Sequence, residues 1–127
     1  MNAAGFVAVG VGATLGAWLR WGLGVALNAV VPNLPLGTLA ANLIGGFLIG
    51  VAVELVLQLA LVSAEWRLFI ITGFLGGLTT FSTFSIEAVE LISAQRYGWA
   101  LLHVGSHLAG SLLMTLLGIF TVRWLLS

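Results

Sequence analysis

The sequence predicts an all-α integral membrane protein with four transmembrane helices, the third of them broken. Three observations carry this expectation. Hydrophobic residues make up 61% of the 127 residues and charged residues only 6%, whereas soluble domains carry about 25% charged residues. The apolar runs are continuous, without the alternation of a transmembrane β-barrel. Crossing the hydrocarbon takes about 20 apolar residues per helix. The chain therefore holds four spans as a single transmembrane domain, 1–127, with no room for a soluble domain.

Span one is expected over about residues 4–30. No Lys or Arg precedes Arg20, so this segment lacks the basic start of a signal peptide and is expected to be retained. VPNLP follows, and its two prolines and asparagine mark a loop. Span two is expected over about 36–61 and ends near SAEWR. Span three covers about 66–94 and is interrupted by GFLGGLTTFSTFS, residues 73–85. Glycine tolerates backbone angles that other residues avoid, so GGLTT is expected to break the helix there. Span four covers about 98–125. Short connections make neighbouring spans antiparallel. Gly12/Gly16, Gly46/Gly50 and Gly73/Gly77 form GxxxG pairs, and Ser106/Gly110 a small-xxx-small pair. Such spacing lets helix backbones approach closely.

Charge excludes some functions and opens a question of orientation. The net charge is zero, so there is no basic footprint for nucleic acid. Cysteine is absent, which removes disulfides and thiolate chemistry. With four spans, Arg67 and Arg123 fall on the side of the termini, and Arg96 and Arg20 on or near the other. The positive-inside rule then gives almost no preferred orientation. Either another signal fixes the orientation, or the chain inserts both ways and can form an antiparallel homodimer.

A few polar residues stand out against this apolar background. Arg20 lies between Trp18 and Trp21, so it either snorkels to the interface or supplies a fixed cation to an anion vestibule. Thr38 and Asn42 share a helix face. Asn42 must meet another helix or a wet path, because an unpaired amide in hydrocarbon is costly; its NH2 group can give two hydrogen bonds to an anion. His103, His107, Ser111 and Thr115 recur every fourth residue as one polar stripe. The two histidines lack an evident third and fourth zinc ligand, and a stripe facing the bundle interior or a water path is the better reading. Glu87 follows the glycine-rich stretch, as a rim residue or a proton relay; Glu90, Glu54 and Glu65 read as interfacial. Carbonyls freed near Gly76 to Thr79 are cation ligands of the kind seen in discontinuous helices. Beyond the break, Phe81, Phe84, Ser85 and Ala88 share a face. Phenyl rings have positive edges, so Phe81 and Phe84 either pack or meet an anion.

Together these blocks resemble a known family. GATLGAWLRW, GTLAANLIGGFLIG and TGFLGGLTTFSTFSIE are similar to the Fluc (CrcB-type) fluoride channels of bacteria, in order and across all four spans. The resemblance implies a fluoride-selective channel for passive electrogenic export from the cytoplasm, not an enzyme. It implies a dual-topology antiparallel homodimer with two pores, in the bacterial plasma (inner) membrane and in contact with lipid. Phe81 and Phe84 would form an aromatic box around fluoride, and Asn42 would line the pore. Ser82, Thr83 and Ser85 would lie in or near its polar track, with Thr38, His107 and Ser111 as further candidates. Arg20 would stand in the vestibule and Glu87 near the pore end. Gly76 and Thr79 would give carbonyls from both subunits to one central Na+ ion. His103 and His107 depart most from the family pattern. Two other transport readings compete: a proton-coupled exporter of the small multidrug resistance type, whose span-one glutamate is missing here, and fluoride/proton exchange through Glu87. A subunit without transport is a third.

Overall fold

A computed structural model describes residues 1–60 and 62–127. Four long apolar segments in it are each able to cross a membrane: Ala3–Leu27, Leu36–Leu59, Ala64–Ser93 and Tyr97–Leu126. The first is helix α1 and the second α2. The third comprises α3 (Ala64–Arg67), a π-helix (Leu68–Leu75), α4 (Gly76–Leu78) and α5 (Phe81–Ser93). The fourth is α6 (Tyr97–Leu126).

Helix ends explain where the spans begin and stop. Asn2 caps α1, its Oδ1 accepting from the Gly5 amide at 2.7 Å. That helix stops at Leu27, short of residue 30, because the next residue caps another helix. Asn28 Oδ1 accepts from the amides of Gly37 at 2.8 Å and Thr38 at 3.1 Å, two donors that the first turn of α2 leaves without partners. The second helix ends at Leu59, and Ala60 takes a left-handed conformation, φ 52°. The expected last residue of this span, 61, lies outside the described residues. Ser63 caps α3 through the Trp66 amide. At the other end of the third segment, Gln95 turns the chain at φ 59°, and Arg96 donates from Nη1 to Asn33 Oδ1 at 2.7 Å. The two loops on that side of the bundle are thereby joined. On the side of the termini, Arg123 Nε donates to Glu54 Oε1 at 3.0 Å and ties α6 to α2.

Two glycine seams bring backbones together. On α1, a Cβ at Gly12 or Gly16 would run into the Phe69 and Phe74 carbonyls of the π-helix; from the other side, one at Gly77 would strike the Ala13 carbonyl. In the second seam, a Cβ at Gly50 would strike Thr115 of α6, and one at Gly118 would strike Phe47 of α2. The GxxxG pairs are therefore where helices cross at backbone contact. Ala41, Leu75 and Leu78 form the small buried core between the seams.

The irregular backbone of the third segment lies at Thr79 (φ −81°, ψ 152°) and Thr80 (φ −148°, ψ 107°), both extended. Glycine does not make this turn, contrary to the sequence expectation. Among the described residues no glycine has a positive φ, and Gly76 is helical at φ −62°. Threonine suits extended backbone because it is β-branched. Gly77 serves instead as a contact with α1.

Candidate functional site

Thr79 and Thr80 sit between two cavities, and seven of the polar residues singled out in the sequence, Arg20, Thr38, Asn42, Thr79, Thr83, His107 and Ser111, line one or the other. The larger, about 680 Å³, is lined by Asn42, Gly76, Thr79, Thr80, Phe81, Phe84, His107 and Ser111 among others. The smaller, about 330 Å³, is lined by Arg20, Trp21, Gly24, Val25, Asn28, Thr38, Thr80 and Thr83. Among the described residues, only Thr80 borders both.

Asn42 clasps the extended segment from α2. Its Oδ1 accepts from the Thr80 amide at 2.8 Å, and its Nδ2 donates to the Thr80 carbonyl at 3.2 Å. The same Nδ2 meets His107 Nδ1 at 3.0 Å. Thr80 then starts α5: its hydroxyl accepts from the Thr83 amide at 3.1 Å and donates to the Thr83 hydroxyl at 3.0 Å. Ser82 Oγ stands 3.4 Å from the Thr80 hydroxyl, and Ser82 is otherwise exposed. Ser85 is exposed and borders neither cavity. Sequence reasoning did not single out Thr80. The available signal was a Ser/Thr-type N-cap just before the apolar turn of α5.

Two phenylalanines and two histidines meet in one aromatic cluster. Phe81 and Phe84 have ring centroids 5.4 Å apart and planes at 58°. Phe81 is 80% exposed; Phe84 is half-buried and continues the cluster inward. Its ring stacks on His103 at 5.2 Å and lies 4.7 Å from His107. Both histidines are buried. His103 Nε2 is 3.2 Å from the Phe84 carbonyl, so that imidazole holds both the ring and the backbone of Phe84. No set of three or more His, Cys, Asp or Glu placed to share a metal occurs among the described residues.

Arg20 does more than reach for the interface. Its Nε donates to the Gly77 carbonyl at 3.0 Å, the C-terminal turn of α4 being short of donors. Trp18 and Trp21 beside it are exposed. Across the smaller cavity, Thr38 is buried and its hydroxyl donates to Glu87 Oε1 at 2.5 Å. Glu87 thus faces α2 from α5. Deeper along α6, Ser111 borders the larger cavity, and the Thr115 hydroxyl donates to the Gly46 and Ser111 carbonyls.

The architecture defines a class: a multi-pass helical membrane protein whose third segment turns extended between an aromatic groove and an arginine-bearing cavity. Residues 7–119 match the family described as "CrcB-like protein, Camphor Resistance (CrcB)". A protein named "Fluoride-specific ion channel FluC" from Cupriavidus pinatubonensis (strain JMP 134 / LMG 1197) is 62% identical over 125 residues, covering 98% of this chain and 99% of its own. Proteins of the same name from Ralstonia pickettii (strain 12J) and Pseudomonas paraeruginosa (strain DSM 24068 / PA7) are 62% and 55% identical, covering 97% and 95% of this chain and 98% and 95% of theirs. The chain belongs to the CrcB family, and the resemblance read in its sequence is borne out.

Proposed function

We propose that this chain forms a fluoride-selective channel for passive, electrogenic export of fluoride from the bacterial cytoplasm, and is not an enzyme. The observation that carries the reading is the meeting of Phe81, Phe84, Asn42 and Thr80 on one groove, in a chain 62% identical to a protein named for fluoride conduction. Fluoride is small and strongly hydrated, so a path must replace its water with close donors. Ring edges of Phe81 and Phe84 present partial positive charge. Ser82 and Thr83 add hydroxyl donors, with Thr38, His107 and Ser111 extending the polar track, while Asn42 lines the groove and commits its NH2 group to Thr80 and His107. Arg20 draws anions toward the smaller cavity, whose rim Glu87 approaches through Thr38. The negative cell interior then drives fluoride outward.

The working unit in this reading is an antiparallel, dual-topology homodimer in the plasma membrane, with two pores. Support comes from the near-even split of arginines between the two sides and from a groove left open in one chain, where Phe81 is 80% exposed. The third span acts as a discontinuous helix. Its backbone fits a structural Na+ ion between two such chains. In a continuous helix the Thr80 amide would bond the Gly76 carbonyl; here it donates to Asn42. Gly76 is exposed, and Thr79 is extended. The carbonyls of Gly76 and Thr79 from each subunit would hold the ion, which supplies positive charge and fixes the two extended segments to one another.

Fluoride efflux from liposomes holding the purified protein tests the reading. Efflux is expected to stall without a potassium ionophore and to run with one, while chloride under the same conditions stays trapped. Fluoride movement driven by a proton gradient alone, indifferent to the ionophore, would instead establish fluoride/proton exchange.

A further inference from the structure

Among the described residues three buried side-chain atoms have no hydrogen-bond partner: Glu87 Oε2, His103 Nδ1 and His107 Nε2. Neither Glu87 nor His103 lines either cavity, whereas His107 lines the larger one with Phe81 and Phe84. The hydrogens of His107 follow from its neighbours. The Thr80 amide donates to Asn42 Oδ1 at 2.8 Å, and Asn42 Nδ2 donates to the Thr80 carbonyl at 3.2 Å. A flipped amide would lose both bonds, so the orientation of Asn42 is fixed. Its NH2 group therefore also donates across 3.0 Å to His107 Nδ1. That nitrogen accepts and carries no hydrogen, so the neutral ring holds its hydrogen on Nε2. Nε2–H is thus a donor without an acceptor, in a side chain only 4% exposed. Buried polar atoms in folded proteins are almost always satisfied.

The other polar groups on the groove are already committed. Asn42 gives its NH2 group to Thr80 and His107. The Thr79 hydroxyl donates to the Leu75 carbonyl at 2.8 Å, and the Thr80 hydroxyl donates to Thr83 at 3.0 Å. What is left stands on α6: His107 Nε2–H and, one turn further, the Ser111 hydroxyl. The Phe84 ring lies 4.7 Å from His107, so ring and imidazole border the same space. We infer that His107 Nε2–H is a direct fluoride ligand in the groove, and that Asn42 is a positioning residue. Asn42 does not touch the ion; it sets the tautomer that leaves His107 a donor. This inference rests on the channel reading and names the donor within it. A neutral donor suits conduction, which needs binding weak enough to release the ion. Protonation of Nδ1 would set a hydrogen against the Asn42 NH2 group, so the same clasp keeps the ring uncharged.

Histidine nitrogen-15 NMR of the full chain in lipid bilayers tests this, with His107→Gln for assignment. At neutral pH His107 is expected to carry hydrogen on Nε2 and none on Nδ1. Added sodium fluoride should move the Nε2 resonance more than the Asn42 side-chain nitrogen. Asn42→Asp replaces a donor with an acceptor, and His107 Nδ1 should then gain a hydrogen. The reading there is the tautomer, since the new charge slows an anion by itself. In liposomes His107→Phe, a ring without a donor, should lower fluoride efflux about ten- to a hundredfold, the worth of a hydrogen bond to an ion. His107→Gln, which brings an amide donor, should recover most of it. Should His107→Phe fail to fold, the wild-type spectra and His107→Gln still decide. A hydrogen on Nδ1 of the wild-type ring, a larger fluoride response at Asn42 than at His107, or wild-type efflux from His107→Phe overturns the inference. Efflux with an unresponsive Nε2 does so too, and leaves the channel reading intact. A responsive Nε2 in a chain that passes no fluoride sinks the channel reading and leaves the anion ligand standing.

Discussion

Asn42 shows how much one side chain can decide. It holds both backbone groups of Thr80 and the Nδ1 of His107. Asn42→Leu strands a buried amide and carbonyl, and the expected loss is on the order of 3 kcal/mol, read from thermal unfolding of the purified chain in detergent. An unchanged midpoint would show that water replaces the clasp. The sequence made Asn42 conspicuous, because an amide in an apolar span needs a partner. It did not show that the partner is a backbone thirty-eight residues away. Arg20 is similar: its isolation was legible, whereas its bond to Gly77 depends on how α1 crosses α4. His103 stood out as one member of a polar stripe, and only the packing shows that it carries Phe84.

Among elements, the glycine seams set the bundle. Gly16 is in backbone contact with Phe74, while Gly10, on the same helix, has open space around it. Gly16→Leu therefore forces α1 away from the π-helix, an overpacking cost of about 1–3 kcal/mol or more. Gly10→Leu is expected to be neutral. Comparing the two variants by unfolding and by fluoride efflux checks this; equal behaviour would mean that the seam is dispensable. The GxxxG spacing made these contacts readable, because close crossing needs small residues at helical spacing. The π-helix was not readable, since Leu68–Leu75 has the composition of any apolar helix. Within GGLTT the extended residues are not the glycines. The extended residues are the threonines, held by Asn42 and by the Thr80 cap on α5, and glycine serves the crossing.

For the whole molecule, composition was decisive. A chain with so few charges must place its surface in lipid, and four segments of spanning length follow. Orientation was not decided, because the arginines balance. The proposed dual topology makes a direct prediction: a tag on the C-terminus should react with an impermeant reagent from both faces of intact cell membranes, in comparable amounts. Labelling from one face alone would reject antiparallel assembly. The central claim is that fluoride passes the edges of Phe81 and Phe84, and it is tested most directly by fluoride efflux from liposomes holding Phe81→Ile or Phe84→Ile beside the wild-type chain. The account predicts that each substitution abolishes efflux while the protein elutes from size exclusion as the wild type does. Wild-type efflux in both variants would contradict it.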